Sequence, residues 1–482
     1  MTRETRRALR FVGRCAPVLI AAAWVATVGV TADRAQAPSA SFDALAALVQ
    51  TRMADLGIPG VALGIVKDGQ VRTRTFGVTN LDNPQPVTPD TVFALASITK
   101  TVVATAIMRL VEQGKLDLDA PVRRYLPDFR IQDEALSREV AVWHLLTHTP
   151  GWEGQLTSTD LGARTLSTFV DVTMRDLPKI ADPGQVWSYN NAGFNVAGRL
   201  IEVASGQTIH NALRSLVFQP LGLTRAFTRV EDLVTWPFSV AHRGAPGNVT
   251  VSRPLSRSAS VAAGGVSMSL NDILTYAQFH LGDGTNRSGE RVLSRASLAL
   301  MQRARIPKQA TDDEMGIGWH LRRLSGVMTA AHGGTLGHVL LLELVPERNF
   351  AMAILTNHAD GWRLIQDVER EALRRLEGVA MSPTHAIGHR GLNETMPDAP
   401  VLAAQPDPAP YVGTYRRPPA GQNVVHLDNG RLMLDANPIG FYAPDRAIVT
   451  AGGARGNPVE FVRDTDGVVR WVRYVGRIAR KE

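Results

Sequence analysis

One cysteine stands in 482 residues, and it is Cys15, near the N-terminus and just ahead of an apolar run. No internal disulfide can form, and neither a cysteine-ligated metal nor a disulfide framework can hold the fold. The chain must therefore fold by burying apolar surface alone, for which 44% hydrophobic and 20% charged residues suffice. That balance excludes disordered, collagenous and coiled-coil classes, and the length allows two or three domains.

Arg3, Arg6, Arg7, Arg10 and Arg14 precede an uncharged apolar run from Ala16 to Val30, followed by small residues, as in a secretory signal. The reading is a signal peptide over 1–32, cleaved after Ala32, and an exported, periplasmic or secreted product. An uncleaved membrane anchor is the alternative, although the run falls short of the ~20 residues that span comfortably. The formal charge of +7 invites a nucleic-acid or anionic-surface partner. Its placement argues otherwise. The leader carries +4, the stretch from Arg463 onward carries +3, and residues 33–462 balance at zero. No nucleic-acid partner is expected, membrane contact is expected only through the leader, and any residual attraction to an anionic surface belongs to the C-terminal tip.

Residues 42–378 mix helical and strand-like segments without a repeat and read as one α/β or α+β unit. Val61–Val66 and Val71–Phe76 flank Lys67-Asp68-Gly69 as a hairpin, and Val339–Leu344 with Ala351–Leu355 make a second pair, so the sheet is antiparallel. Thr101 to Gln113 keeps one apolar face through Val102, Ala106 and Leu110, as a helix does. Residues 379–410, rich in Pro and Ala, read as a linker. Residues 411–482 alternate short apolar runs with Asp-Gly-type turns and read as a small all-β module, short for a full barrel at 72 residues.

Three elements carry chemistry. Ser97-Ile98-Thr99-Lys100 opens the apolar helix, and i, i+3 spacing places the amine within reach of the hydroxyl. A lysine desolvated there loses pKa and can take the serine proton. Alone, the motif equally describes an N-cap followed by a solvated lysine. Tyr189-Asn190-Asn191 follows Pro183-Gly184, and Tyr189 is the one tyrosine of seven with Asn two positions on. A tyrosine beside a lysine cation has a depressed pKa and shuttles protons, while a carboxamide orients a substrate amide. His332-Gly333-Gly334-Thr335 precedes a strand, where paired glycines would let a substrate backbone approach. His144 and His148 have i, i+4 spacing but read as buried structural histidines, so neither metal nor cofactor is expected. Trp152 and Trp319 are left open between cleft and core.

In this order the motifs resemble the serine hydrolases that include class C β-lactamases, D-alanyl carboxypeptidases, D-aminopeptidases and family VIII esterases. His144-Leu145-Leu146-Thr147-His148-Thr149-Pro150-Gly151-Trp152, Ala263-Gly264-Gly265-Val266 and Gly316-Ile317-Gly318-Trp319 are similar to segments typical of that family. Tyr411-Val412-Gly413-Thr414-Tyr415 and Val475-Gly476-Arg477 look like the lipocalin-like β module of some secreted members. The resemblance implies a β-lactamase/transpeptidase-like fold, an antiparallel sheet flanked by helices plus an all-helical lobe, with the site between them. It implies Ser97 as nucleophile, Lys100 and Tyr189 sharing acid and base work, and Asn191 on the substrate amide. It also implies that His332, Gly333, Gly334 and Thr335 form the substrate-binding strand, with backbone N–H groups of Ser97 and Thr335 as oxyanion donors. Where many β-lactamases have Lys-Thr-Gly, this chain has His332-Gly333-Gly334. The missing cation costs a carboxylate-bearing substrate ~1.5–3 kcal/mol. The expected substrate is a small or linear peptide amide. A carboxylesterase and a slow-deacylating, penicillin-recognising or peptidoglycan-binding protein are the alternatives.

Overall fold

The computed structural model describes residues 38–154, 165–252, 260–383, 387–388, 394–396, 398–419 and 421–482. The leader and Cys15 lie outside them. Among the described residues no helix is long and apolar enough to cross a membrane.

The two expected hairpins are the centre of an eight-stranded antiparallel sheet. Its order is Gln70–Gly77, Gly60–Lys67, Phe350–Thr356, Val339–Val345, Val327–Thr335, His320–Leu324, Glu314–Met315 and Ile306–Pro307. The first and last strands of the domain thus pair, Leu63 opposite Ile354, so the sheet closes only when some 290 intervening residues have folded. Side chains alternate between two covered faces. Val61, Leu63, Ile65, Leu341, Met352 and Ile354 pack on the helices Pro38–Leu56 and Gly361–Glu377. The latter presents Leu364, Ile365, Val368, Ala372 and Leu373 at helical spacing. Ala62, Leu340, Leu342, Ala353 and Leu355 face the other way, into a core shared with the helix Leu270–Leu281 and the helical lobe. Burial on both sides explains why the central strands read as near-continuous apolar runs.

In the helical lobe, Thr99–Glu112 packs against Asn191–Ser205 and the short helix Val261–Gly264. The Asn190 side chain caps Asn191–Ser205 by accepting from Gly193 N at 2.7 Å, and Gly206 ends it at φ 70°. Trp152 and Trp319 are both core residues.

The C-terminal module is a closed eight-stranded barrel over Gly413–Lys481, sealed by the register Tyr415↔Lys481 and Arg416↔Arg480. Seventy-two residues suffice because the strands are four to eight residues long and most turns are tight. At eight strands the lumen is filled by side chains, here Tyr411, Tyr415, Phe441, Phe461 and aliphatic neighbours. The preceding segment lies along the barrel: Leu402 N donates to Phe441 O at 2.8 Å, and Met396 and Ala399 pack on Ile448.

Candidate active site

Ser97 sits in a 3-10 turn, Ala96–Ile98, that feeds directly into the Thr99–Glu112 helix. Ala96 holds φ at 46°, a left-handed conformation that an alanine adopts at a cost of roughly 1–2 kcal/mol. The sharp turn leaves Ser97 half-exposed while Lys100, one helical turn on, is fully buried. Lys100 Nζ lies 3.0 Å from Ser97 Oγ and donates to Ala263 O at 2.6 Å. It also stands 4.9 Å from the Tyr189 ring centroid and 5.5 Å from that of Phe194. Burial, with the Arg477 cation nearby, holds the Lys100 ammonium well below the usual lysine range.

Tyr189 is wholly buried, and burial pushes its hydroxyl up, against the smaller opposing pull of Ser97 and Arg477. The expectation of a tyrosine depressed by a lysine cation is therefore reversed. The same dry environment disfavours both a tyrosinate and a lysine ammonium.

Every residue of Trp187–Asn190 is held by a distant part of the chain. Trp187 N donates to Gln309 Oε1 at 3.0 Å, and Trp187 O accepts from Arg473 Nη1 at 3.2 Å. Ser188 N donates to His148 O at 2.9 Å and Ser188 Oγ accepts from Ile478 N at 3.2 Å. Tyr189 N donates to Gly476 O at 2.8 Å, and Arg477 Nη1 donates to Tyr189 O at 2.9 Å. Asn190 N donates to His148 Nδ1 at 2.8 Å. The barrel turn between Val469–Tyr474 and Arg477–Lys481 is thus part of the site's wall. Arg477 pairs with buried Glu153 at 3.5 Å.

The third motif does something other than expected. Thr335 is exposed and lines a cleft of about 520 Å³ together with Ser97 and Asn191. His332, Gly333 and Gly334 are buried in the strand behind that wall. The His332 ring hydrogen-bonds Gly333 O at 2.7 Å and packs edge-on to Tyr189, centroids 6.3 Å apart. A Cβ on Gly334 would come within 2.1 Å of Leu95 O, so this glycine is needed for the strand to approach the chain just before Ser97. Its reason is internal packing and not the approach of a substrate backbone.

His148, His320 and His332 are buried together, with one ring nitrogen of each within 4.8 Å of the others. Three imidazoles at that spacing suit a metal, but the hydrogen bonds do not. Because His148 Nδ1 accepts from Asn190 N, its proton sits on Nε2, the atom a metal would need bare. The cluster instead supports the tyrosine: His148 stacks on Tyr189 at 4.4 Å. His144, its i−4 neighbour, is separate and accepts from Ala141 N.

Sequence reasoning missed Arg477, Arg473, Gln309, Glu153 and His320 as parts of this site. The Val475-Gly476-Arg477 motif was visible, but nothing local ties it to a tyrosine 288 positions earlier.

The Beta-lactamase family profile matches residues 45–375. Penicillin-binding protein 4 of Amycolatopsis lactamdurans is 34% identical over 371 residues, covering 75% of this chain and 93% of its own. Esterase EstB of Burkholderia gladioli is 35% identical over a shorter stretch, 34% of this chain and 45% of its own. Among solved structures, that of SurE superposes with a TM-score of 0.76 at 26% identity, over 92% of this chain and 99% of its own. A class C β-lactamase from Rhodobacter sphaeroides shares the fold of the catalytic part, with a TM-score of 0.60 over 69% of this chain at 21% identity. The chain belongs to the β-lactamase family of serine hydrolases, here with a closed β-barrel fused behind the catalytic unit.

Proposed function

We propose that the protein cleaves amide bonds of small or linear peptides through an acyl-enzyme on Ser97. The observation that carries this reading is the buried Lys100 amine 3.0 Å from the Ser97 hydroxyl, in surroundings that favour the neutral amine. Lys100 takes the proton of Ser97 Oγ as that oxygen attacks the acyl carbon. The developing oxyanion accepts from the backbone N–H groups of Ser97 and Thr335. The proton then passes from Lys100 through the Tyr189 hydroxyl to the departing amine, which leaves as the C–N bond breaks. Water repeats the sequence on the ester, with Lys100 again as base, and frees the acid. Asn191, on the cleft wall, holds the substrate amide.

A solved structure of SurE is described as a complex with D-Leu, which supports including D-residues among the substrates. Ester cleavage is the second reading, favoured by the similarity to Esterase EstB. Export follows from the basic-then-apolar leader.

The test is a panel of L- and D-peptides, short-chain esters and a chromogenic cephalosporin, run on wild type and Ser97→Ala with a fluorophosphonate serine label. Loss of labelling and of peptide turnover in the variant is expected. Turnover that survives Ser97→Ala sinks the reading, and a cephalosporin acyl adduct on Ser97 that persists for hours without turnover marks a slow-deacylating binder instead.

A further inference from the structure

A second chamber borders the cleft that holds Ser97. His210, Thr228, Arg229 and Glu231 line the cleft, and the same four residues line the second chamber, of about 730 Å³. Each chamber alone falls within the roughly 300–1,000 Å³ of a small-ligand site, so the two together exceed what a short acyl group can occupy. Their chemistries differ. Val230, Leu233, Phe238, Val261 and Leu336 give the first an apolar wall. The second is more mixed: Asn211, Arg214, Asp232 and Thr235 share its lining with Leu223, Phe227 and Trp236, so it is more polar than the first without being wholly polar.

The segment dividing the chambers is unusual for the exposed apolar surface it carries. Val230, Val234, Trp236 and Phe238 are 53%, 58%, 37% and 37% exposed within nine residues, on a protein that otherwise covers its large apolar side chains well. Exposed apolar groups beside a nucleophile gain from a substrate that covers them. The second chamber has two arginines, Arg214 and Arg229, against Glu231 and Asp232. Balanced charge selects polar residues without selecting a sign. Its floor also contains the one π-helical turn among the described residues, Arg214–Phe218, a local distortion frequent at functional sites.

We infer that the second chamber is a distal subsite for the acyl half of an extended peptide, whose residue next to the scissile bond is bulky and apolar and whose upstream residues are polar. This rests on the peptide reading above. An extended chain advances about 3.3 Å per residue, so a peptide that occupies both chambers is longer than the single residue next to the scissile bond. Trp236 and Arg214, which line only the second chamber, act on specificity and take no part in proton transfer.

Binding is measured by calorimetry on Ser97→Ala, with N-acetyl-leucine methylamide and N-acetyl-Thr-Ser-Thr-Leu methylamide, each made with L- and with D-leucine. The longer compound is expected to bind at least tenfold more tightly in the preferred stereoisomer. Adding Trp236→Ala, or separately Arg214→Ala, both at residues that line only the second chamber, should erase that margin, leaving the short compound's affinity and the circular dichroism unchanged. Equal affinity for both lengths, no binding of either, or a margin that survives both substitutions overturns the inference. Length-dependent binding in a protein whose wild type cleaves neither amides nor esters would leave the subsite standing and remove the catalytic reading instead.

Discussion

Lys100 is the residue on which the chemistry turns, and its environment makes a directional claim. Because burial and the Arg477 cation both disfavour the ammonium, the acidic limb of kcat/KM should reflect a lysine titrating well below its usual range. Arg477→Gln removes one of the two causes, so the amine holds its proton more firmly and the limb moves to higher pH. Arg477→Lys keeps the charge and should restore most of the shift even where hydrogen bonding to Tyr189 O suffers. A limb that does not move in Arg477→Gln would show that the cation is structural only.

At the scale of elements, the catalytic geometry depends on two strands meeting a turn. Gly334 lies against Leu95, two residues before Ser97, and has no room for a methyl group. Gly334→Ala should cost about 1–3 kcal/mol of stability by overpacking and lower kcat far more than it raises KM, because the serine turn is displaced. Urea midpoints and steady-state kinetics check both. The elements themselves were legible: both central hairpins and the Ser97 helix stand within a few residues of where turn residues and apolar periodicity put them. What could not be read was which face of the His332 strand meets substrate. Period-two alternation says that faces differ, but only the packing partners, Tyr189 on one side and Leu95 beside Gly334, say what each face touches.

The whole molecule is tied together across the barrel interface. Trp471 is buried among Ile180, Val186, Val462 and Ile478 and donates from Nε1 to Ile180 O at 3.1 Å. Arg473 is buried as well, pairing with Glu460 at 2.5 Å and reaching the carbonyls of Trp187 and Gln309. Trp471→Ala should cost about 3–5 kcal/mol at this interface and depress turnover through the Trp187–Tyr189 segment, read by calorimetric unfolding and kcat. The basic C-terminal tip that suggested an anionic surface is largely spent internally: Arg463 on Asp445, Arg470 on Asp464, Arg473 on Glu460 and Arg477 on Glu153. Acid should weaken the whole fold. Burial lowers His144 and His338 to about 4 and His280 to about 3. Below the unfolded value near 6.5 the unfolded chain binds protons that the folded one refuses, so stability present at neutral pH falls as pH drops. The loss is about 1.4 kcal/mol per pH unit for each such histidine. Asp272, raised by burial to about 6, and Glu377, also raised by burial, oppose it. Urea midpoints that are unchanged between pH 7 and 5 would contradict this balance.

By itself the sequence pointed to a mixed α and β class with an antiparallel sheet and an all-β C-terminal module, and it marked Ser97, Lys100 and Tyr189 as candidates. The sheet and module rest on apolar period and turn residues, the Ser97–Lys100 pair on i, i+3 spacing, and Tyr189 on its place in the family's order of motifs. Only tertiary structure decided that the phenol stays neutral, that His332 backs the site and that a C-terminal arginine belongs to it. It also decided that the serine cleft shares a border with a second chamber. Each of these follows from burial or from contacts between residues far apart in the chain, and neither leaves a local pattern to read.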